Sequence, residues 1–346
     1  MTSSAFSAAT IRKRIARLPR LPLAALPTPL QPCPRLSQEL GVDLWVKRDD
    51  LTGLAFGGNK TRHFEFIFAE ARRQGATVVL TGASSQSNFC RQATAAAAKL
   101  GMKADLTLLR GVKGQRVQGN LLLDRLLGAR VEVLDNDDWL GLQAVFEAKA
   151  EAYRRQGETP FILNVMGDLC ALGSVAYVEA FLELEEQCRG VELNPTTLFL
   201  AAVNMTPAGL ALGAKLRGSS VTIQGFSPVT WPEPRDGDIA GIATQAATLL
   251  DLDVQVTGNE IHNDDGYVGP GYAIPGDRTM DAIRLAARMD GLLMDPVYTG
   301  KAFAGMLDYI ATGRVQRGES IVFLHTGGQP ALFAYDQEAM AEGSVR

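Results

Sequence analysis

Cysteine and histidine are scarce in this chain. The four cysteines, Cys33, Cys90, Cys170 and Cys188, stand far apart without a CxxC pair, and the three histidines, His63, His262 and His325, are equally scattered. That spacing argues against a zinc site and against a disulfide framework, so no bound metal is expected. Long apolar runs are missing too: none approaches the ~18 residues of a membrane span, and no membrane partner is expected. The net charge of −4 carries no polyanion-binding signature, so nucleic acid is not expected as a partner either. These absences leave a reduced, cytoplasmic, soluble protein as the expectation. Acidic residues are absent from the first 38 positions, where Arg12, Lys13, Arg14, Arg17, Arg20 and Arg35 are found among several Ser and Ala. The bias is that of an organelle transit segment. However, Leu18-Pro19-Arg20-Leu21-Pro22 and Leu26-Pro27-Thr28-Pro29-Leu30 would break an amphipathic targeting helix early, and a basic arm wrapped on the folded body is expected instead.

With 346 residues, 46% hydrophobic and 21% charged, the chain has ordinary globular usage and enough length for one large or two intimately packed domains with a deep pocket. From about residue 60 helical and extended stretches alternate. Phe64, Ile67, Phe68 and Ala71 fall on one helical face, and Gly75 closes that run before the strand-like Thr77 to Thr81. An Ala-rich helix from about Ser87 to Leu100, the strand Leu106 to Leu109, a helix through Leu121 to Leu127 and the strand Val131 to Leu134 repeat the beat. Further strands are expected at Phe161 to Leu163, Leu198 to Val203, Val221 to Ile223, Leu292 to Met294 and Ile321 to Leu324. Apolar strands separated by helices indicate a mostly parallel sheet covered on both faces. In such sheets ligands bind beyond the carboxyl ends of the strands. The loops to inspect are therefore Thr81 to Asn88, Ala201 to Gly209, Asp295 to Gly300 and His325 to Gly328.

Gly53-Leu54-Ala55-Phe56-Gly57-Gly58-Asn59-Lys60-Thr61 nearly spells a phosphate-binding P-loop, but Asn59 intrudes before the lysine and no strong strand leads into it. What survives is a lysine at the start of an amphipathic helix, behind glycines that let the backbone approach a ligand. The positive end of the helix dipole disfavours an ammonium there, which favours a nucleophilic neutral amine able to form a Schiff base; a solvated first-turn lysine would fit the spacing as well. Ser84-Ser85-Gln86-Ser87-Asn88 lies between a strand and a helix start, where capping explains one residue but not five. No GxSxG elbow surrounds Ser87, which argues against a serine hydrolase. Gly327-Gly328 is compatible with a plain turn or with space for a flat ring, and Tyr272 and Tyr298 with ordinary half-buried aromatics.

Taken together, Leu26-Pro27-Thr28-Pro29-Leu30, Leu44-Trp45-Val46-Lys47-Arg48-Asp49-Asp50, Gly57-Gly58-Asn59-Lys60-Thr61-Arg62 and Gln86-Ser87-Asn88 resemble the D-cysteine desulfhydrase and 1-aminocyclopropane-1-carboxylate (ACC) deaminase family. Gly119 to Asp124, Tyr267 to Tyr272, Asp295 to Lys301 and His325 to Gly328 keep the family's order, so the resemblance runs from roughly residue 18 to 336. It implies an α/β, fold-type-II, tryptophan-synthase-β-like enzyme that uses pyridoxal 5'-phosphate (PLP). Two α/β domains with mostly parallel sheets would hold the cofactor cleft between them. A large domain would come from residues 1–61 and 171–346, and a small one would be inserted at 62–170.

Position by position, the resemblance makes Lys60 the Schiff-base lysine, Asn88 the amide facing the cofactor's phenolic oxygen and Ser87 the hydroxyl near the substrate carboxylate and Cα. Tyr272 and Tyr298 become the two active-site tyrosines, and Thr299 faces the pyridine nitrogen. Thr326 and Gly327 join the cofactor contacts. The phosphate would lie on backbone N–H groups of 201–209, with Asn204, Met205, Thr206, Ala208 and Gly209 as contacts and the Thr206 hydroxyl assisting. That segment has no glycine before Gly209, unlike the family's Gly/Ser-rich loop, so PLP is expected to be held less tightly than in glycine-rich relatives. Phe89 also stands where the family often has a His or another polar residue. ACC deaminases carry Glu at the site of Thr299 and Leu at that of Thr326, whereas the two threonines here resemble the desulfhydrases. The implied reaction is α,β-elimination on a small β-substituted amino acid such as D-cysteine, with a homodimer as the working form. ACC deaminase and L-cysteate sulfo-lyase are the neighbouring alternatives, and a non-catalytic PLP-binding protein is the alternative of another class.

Overall fold

The computed structural model describes residues 5–341. Ten strands form two sheets. Strands β1 (Leu30–Pro32), β2 (Asp43–Lys47), β7 (Thr197–Ala201), β8 (Thr222–Phe226), β9 (His262–Asp264) and β10 (Ser320–Leu324) make a six-stranded sheet in the order β1-β2-β10-β7-β8-β9. Between β2 and β7 in the chain, β3 (Val78–Thr81), β4 (Lys103–Leu108), β5 (Arg130–Val133) and β6 (Pro160–Ile162) make a four-stranded sheet in the order β5-β4-β3-β6. Every pairing is parallel except β1 with β2. Helices cover both faces of the central strands, which is why Leu198-Phe199-Leu200 and Ile321-Val322-Phe323 read as unbroken apolar runs and are buried throughout.

One expected strand does not form. Leu292-Leu293-Met294 pairs with no neighbour among the described residues; its middle carbonyl instead accepts a 2.9 Å hydrogen bond from His325 Nε2–H, which ties the segment to the residue after β10. Its apolar ends are buried for the same reason that they mimic a strand: Leu292 and Met294 face a core with Ile321 and Phe323.

The basic N-terminal segment contains the helix Ala8–Ile15, capped by Ser7 and docked through buried Ile11 and Ile15 onto Val175, Val178 and Leu182 of the helix Cys170–Gly190. Arg12 pairs with Glu186 at 2.7 Å, Arg14 with Asp251, and Arg20 with Glu65 at 2.6 Å, so the arm's positive charge is matched by acids of the body. The helix Cys170–Gly190 also packs along the helix Met205–Arg217. Their contact is close because Gly209 faces the Ser174 carbonyl and Gly213 the ring of Phe181, where any side chain would collide.

Candidate active site

The segment leading to Lys60 is shaped by its backbone. Gly57 and Gly58 both adopt positive φ, 63° and 122°, and a Cβ at Gly57 would strike the Asp50 carbonyl. Gly58 N–H donates to Thr52 Oγ1 at 2.8 Å and Asn59 N–H to the Thr326 carbonyl at 3.0 Å, which ties the loop to the end of β10. A Cβ on Gly327, at φ 96°, would strike the Gly58 Cα, and one on Gly58 would strike the Gln92 side chain. Lys60 is then the first residue of the helix Lys60–Arg73.

Its amine lies inside a narrow cleft, 5.4 Å from the centre of the Tyr298 ring. Burial lowers its pKa to about 8, against the opposing pull of Asp295 and with a small push from Arg91. Lys301 is lowered to about 8 by the same cause, yet its ammonium donates to the Val268 and Gly271 carbonyls at 2.5 and 2.6 Å. Lys301 is thus a brace for the loop that delivers Tyr272, whereas the Lys60 amine has no hydrogen-bond partner among the described residues.

Beneath Lys60 runs a buried charge network that links four separate segments. Arg62 forks onto Asp49 with two 2.9 Å bonds and onto Glu183 at 2.9 and 3.1 Å. The Lys47 ammonium donates to the Thr28 carbonyl at 2.7 Å, to Gln187 at 2.6 Å and to Glu183, while Tyr177 donates to Asp49. This gives the Lys47-Arg48-Asp49 and Thr61-Arg62 motifs a physical role, which is to fix the Lys60 helix against the body.

The facing wall starts at β3. Ser87 is the N-cap of the helix Asn88–Lys99, its oxygen accepting from Cys90 N–H at 3.1 Å, and its hydroxyl proton has no acceptor among the described residues. Asn88 is oriented from behind: Asn120 Nδ2 donates to Asn88 Oδ1 at 2.9 Å, and Arg91 Nε donates to Asn120 Oδ1 at 2.8 Å. The Asn88 Nδ2 group is left without a protein partner at the cleft. The other members of this run have structural work: Ser85 bonds the Arg110 carbonyl, and Gln86 holds Asn120 N–H and the Gln118 carbonyl. Asn120 and Arg91 escaped sequence reasoning, although an arginine in the middle of an Ala-rich helix is a signal that something polar is buried there.

Across the cleft the Tyr272 and Tyr298 hydroxyls meet at 2.6 Å. Desolvation raises both phenols, Tyr272 to about 12, so both are protonated at neutral pH. Phe89, Trp139 and Val165 add apolar surface, with Trp139 set edge-on against Tyr272 at 6.3 Å. Thr326 also lines this space, and its hydroxyl has no partner among the described residues.

Thr299 is placed differently from the expectation. Its hydroxyl donates to Asp295 Oδ1 at 2.8 Å and accepts from Asp295 N–H at 2.9 Å, so it is engaged by Asp295 at the start of the helix Thr299–Ala311, and Thr299 is not among the described residues that line the cleft. None of the residues lining the cleft is a carboxylate.

The far end is the N-terminus of the helix Met205–Arg217. Asn59, His63, Asn204, Met205, Thr206 and Pro207 surround it. Two of the expected phosphate contacts have other roles: Ala208 N–H bonds the Asn204 carbonyl within the helix, and Gly209 is the packing glycine against Ser174. Asn204 turns its side-chain carbonyl onto Met205 N–H at 2.6 Å, and its amide donates to the Val165 carbonyl at 2.9 Å. Pro207 contributes no N–H, which leaves Thr206 N–H as the donor of the first turn without a side-chain cap.

A family model described as pyridoxal-phosphate dependent enzyme matches residues 21–327. The D-cysteine desulfhydrases of Salmonella newport (strain SL254) and Salmonella typhi are each 40% identical to the chain over 331 residues, 93% of this chain and 97% of theirs. Among solved structures, an ACC deaminase homologue superposes with a TM-score of 0.88 at 32% identity, covering 97% of this chain and 99% of that one. A fungal L-serine ammonia-lyase from Rhizomucor miehei shares the fold, with a TM-score of 0.64 at 17% identity over 93% of this chain and 99% of its own. The chain belongs to the pyridoxal-phosphate dependent enzymes. Within them it is a PLP-dependent lyase.

The residues present fit the cofactor. Among the described residues, an unpartnered lysine amine and the unpartnered Asn88 Nδ2 converge on one cleft. The fit extends to the phosphate end through the helix N-terminus, with fewer free donors than a glycine-rich loop would give.

Proposed function

We propose that this lyase eliminates a β-substituent from a small amino acid, in the manner of a D-cysteine desulfhydrase, releasing pyruvate, ammonia and sulfide from D-cysteine or a related substrate. The observation that supports it most is the wall of the cleft: Lys60, Ser87, Tyr272 and Tyr298 face one space that no carboxylate lines. PLP, when bound, supplies the sink for negative charge left at Cα. Lys60 holds the cofactor, and its lowered pKa suits the amine to take the Cα proton. The paired phenols, protonated at neutral pH, are placed to hand a proton to a departing thiolate. Ser87, with its oxygen fixed by Cys90 N–H, presents a donor for the substrate carboxylate. Asn88 would hold the cofactor's phenolic oxygen, and Thr206 with the helix N-terminus its phosphate. The reading keeps residues 1–61 and 171–346 as the cofactor-binding domain, 62–170 as the inserted one, and a cytoplasmic homodimer as the working form.

The test is ketoacid release by the purified protein from D- and L-cysteine, β-chloroalanine, cysteate and ACC. Pyruvate from D-cysteine with little ketobutyrate from ACC is expected; ACC turnover equal to that of the best cysteine-like substrate would overturn it.

At the ring nitrogen we assign Thr326 in place of Thr299. Thr299→Val should lower stability by about 1–3 kcal/mol through loss of the bonds to Asp295, with the cofactor absorbance unshifted. Thr326→Val should shift the absorbance with little loss of stability. Melts and spectra of the two variants decide, and the reverse pattern would return Thr299 to the ring.

A further inference from the structure

His63 is 1% exposed and stands at the phosphate end of the cleft with both ring nitrogens engaged. Nδ1 lies 2.8 Å from the Gly173 carbonyl, which can only accept, so Nδ1 carries the hydrogen. Nε2 lies 3.0 Å from Thr206 Oγ1. In a neutral ring Nε2 must then accept, the Thr206 hydroxyl must donate to it, and Thr206 Oγ1 accepts from Asn59 Nδ2 at 2.9 Å. The chain ends badly: Asn59, 5% exposed, is left with its Oδ1 buried and without a partner.

A second proton on His63 reverses every step. Nε2–H donates to Thr206, the Thr206 hydroxyl is free to donate to Asn59 Oδ1 once that amide turns, and Asn59 Nδ2–H then points where the orphaned oxygen now ends. Every acceptor of the chain is then satisfied, Asn59 Nδ2–H is left as a donor without an acceptor, and the cleft gains a buried positive charge beside a helix N-terminus. What it lacks is an anion.

We propose that the cofactor's phosphate is that anion: its binding protonates His63 at Nε2 with a proton from solvent, reverses the His63–Thr206–Asn59 hydrogen-bond chain and turns the Asn59 amide onto a phosphate oxygen. The inference rests on the reading that the phosphate lies at the N-terminus of the helix Met205–Arg217. It explains how a loop without glycines still holds a dianion, since charge replaces missing N–H groups.

The surrounding groups leave His63 uncompensated until then. Lys60 and Arg62 on its own helix oppose a second charge, Asp49 from the turn after β2 favours it but is already engaged by Arg62 and Tyr177, and the Cys170–Gly190 helix presents the Gly173 carbonyl, already bonded by Nδ1–H, and the Tyr177 ring, 5.0 Å away. The Met205–Arg217 helix brings no ionisable group to it. With no anion at hand, burial holds the imidazole neutral, at a pKa of about 3.

With three histidines in the chain, [15N]histidine labelling gives a readable NMR spectrum. Spectra at pH 8 would compare the holoenzyme, the same protein stripped of PLP, and that protein reloaded with pyridoxal, which lacks the phosphate. His63→Gln assigns the signal, and His262→Gln with His325→Gln assigns it by elimination should the first variant not fold. An imidazolium at His63 is expected in the holoenzyme alone, with the neutral Nδ1–H form in the other two. His63→Gln should weaken PLP binding about 10- to 100-fold and leave pyridoxal binding unchanged. A His63 signal moved by PLP but still neutral would overturn the proposal and leave the phosphate placement standing. A signal that PLP does not move would overturn both, and equal weakening of PLP and pyridoxal binding would reduce His63 to a structural role.

Discussion

Lys60→Ala should abolish the lysine-linked chromophore and lower kcat/KM by about 10³-fold or more. Three lysines, Lys47, Lys60 and Lys301, have depressed pKa values, and their surroundings separate them. Lys47 is locked to Thr28, Glu183 and Gln187, and Lys301 to two carbonyls, so neither amine can leave its partners without leaving buried acceptors empty. Lys60 alone of the three faces the cleft without a hydrogen bond, within reach of the Tyr298 ring and opposite Asn88. The absorbance spectrum and ketoacid assay of the variant check this. Lys301→Met should by contrast keep the chromophore and lose stability.

Arg62→Met should destabilise the fold by about 3–5 kcal/mol at neutral pH, because it strips the buried Asp49 of its cation and leaves the half-buried Glu183 with Lys47 alone. The pH dependence follows from the same contacts. Burial pushes both carboxyls up, but Arg62 overrides it and holds both below the ordinary range in the native protein. Their contribution is therefore fully present above the ordinary carboxylate pKa and is lost as pH falls through the lowered native values. Without Arg62, burial acts unopposed by that cation and the carboxyls rise. The gap between wild type and variant should be widest near pH 7 and narrow towards pH 4. Urea unfolding at the two pH values measures it, and a gap independent of pH would assign the loss to packing alone.

What the sequence made legible was decided by how local each cause is. Strands such as β7 and β10 announce themselves because both faces are covered and every side chain is apolar. β9, His262-Asn263-Asp264, is an edge strand held by backbone pairing with β8, and no side chain marks it. Leu292 to Met294 carries a strand's pattern, but what holds it is the His325 ring, whose position no local rule supplies. The helix start at Lys60 was readable because glycines precede it, while the role of its amine came from the resemblance alone. Gly209 looked like part of a phosphate loop because sequence cannot tell a glycine that admits a ligand from one that admits a neighbouring helix. Thr299 likewise looked like a cofactor contact, and only the position of Asp295 shows where its hydroxyl points. Asn120, Arg91, Trp139 and Lys301 act on residues at least 29 positions away or on another loop, and no periodicity reports that.

The most direct measurement is peptide mapping of the purified, borohydride-reduced protein by mass spectrometry. A single phosphopyridoxyl adduct on Lys60 is expected, lost in Lys60→Ala; an adduct on Lys301, Lys47 or any other lysine in the native protein would contradict the site.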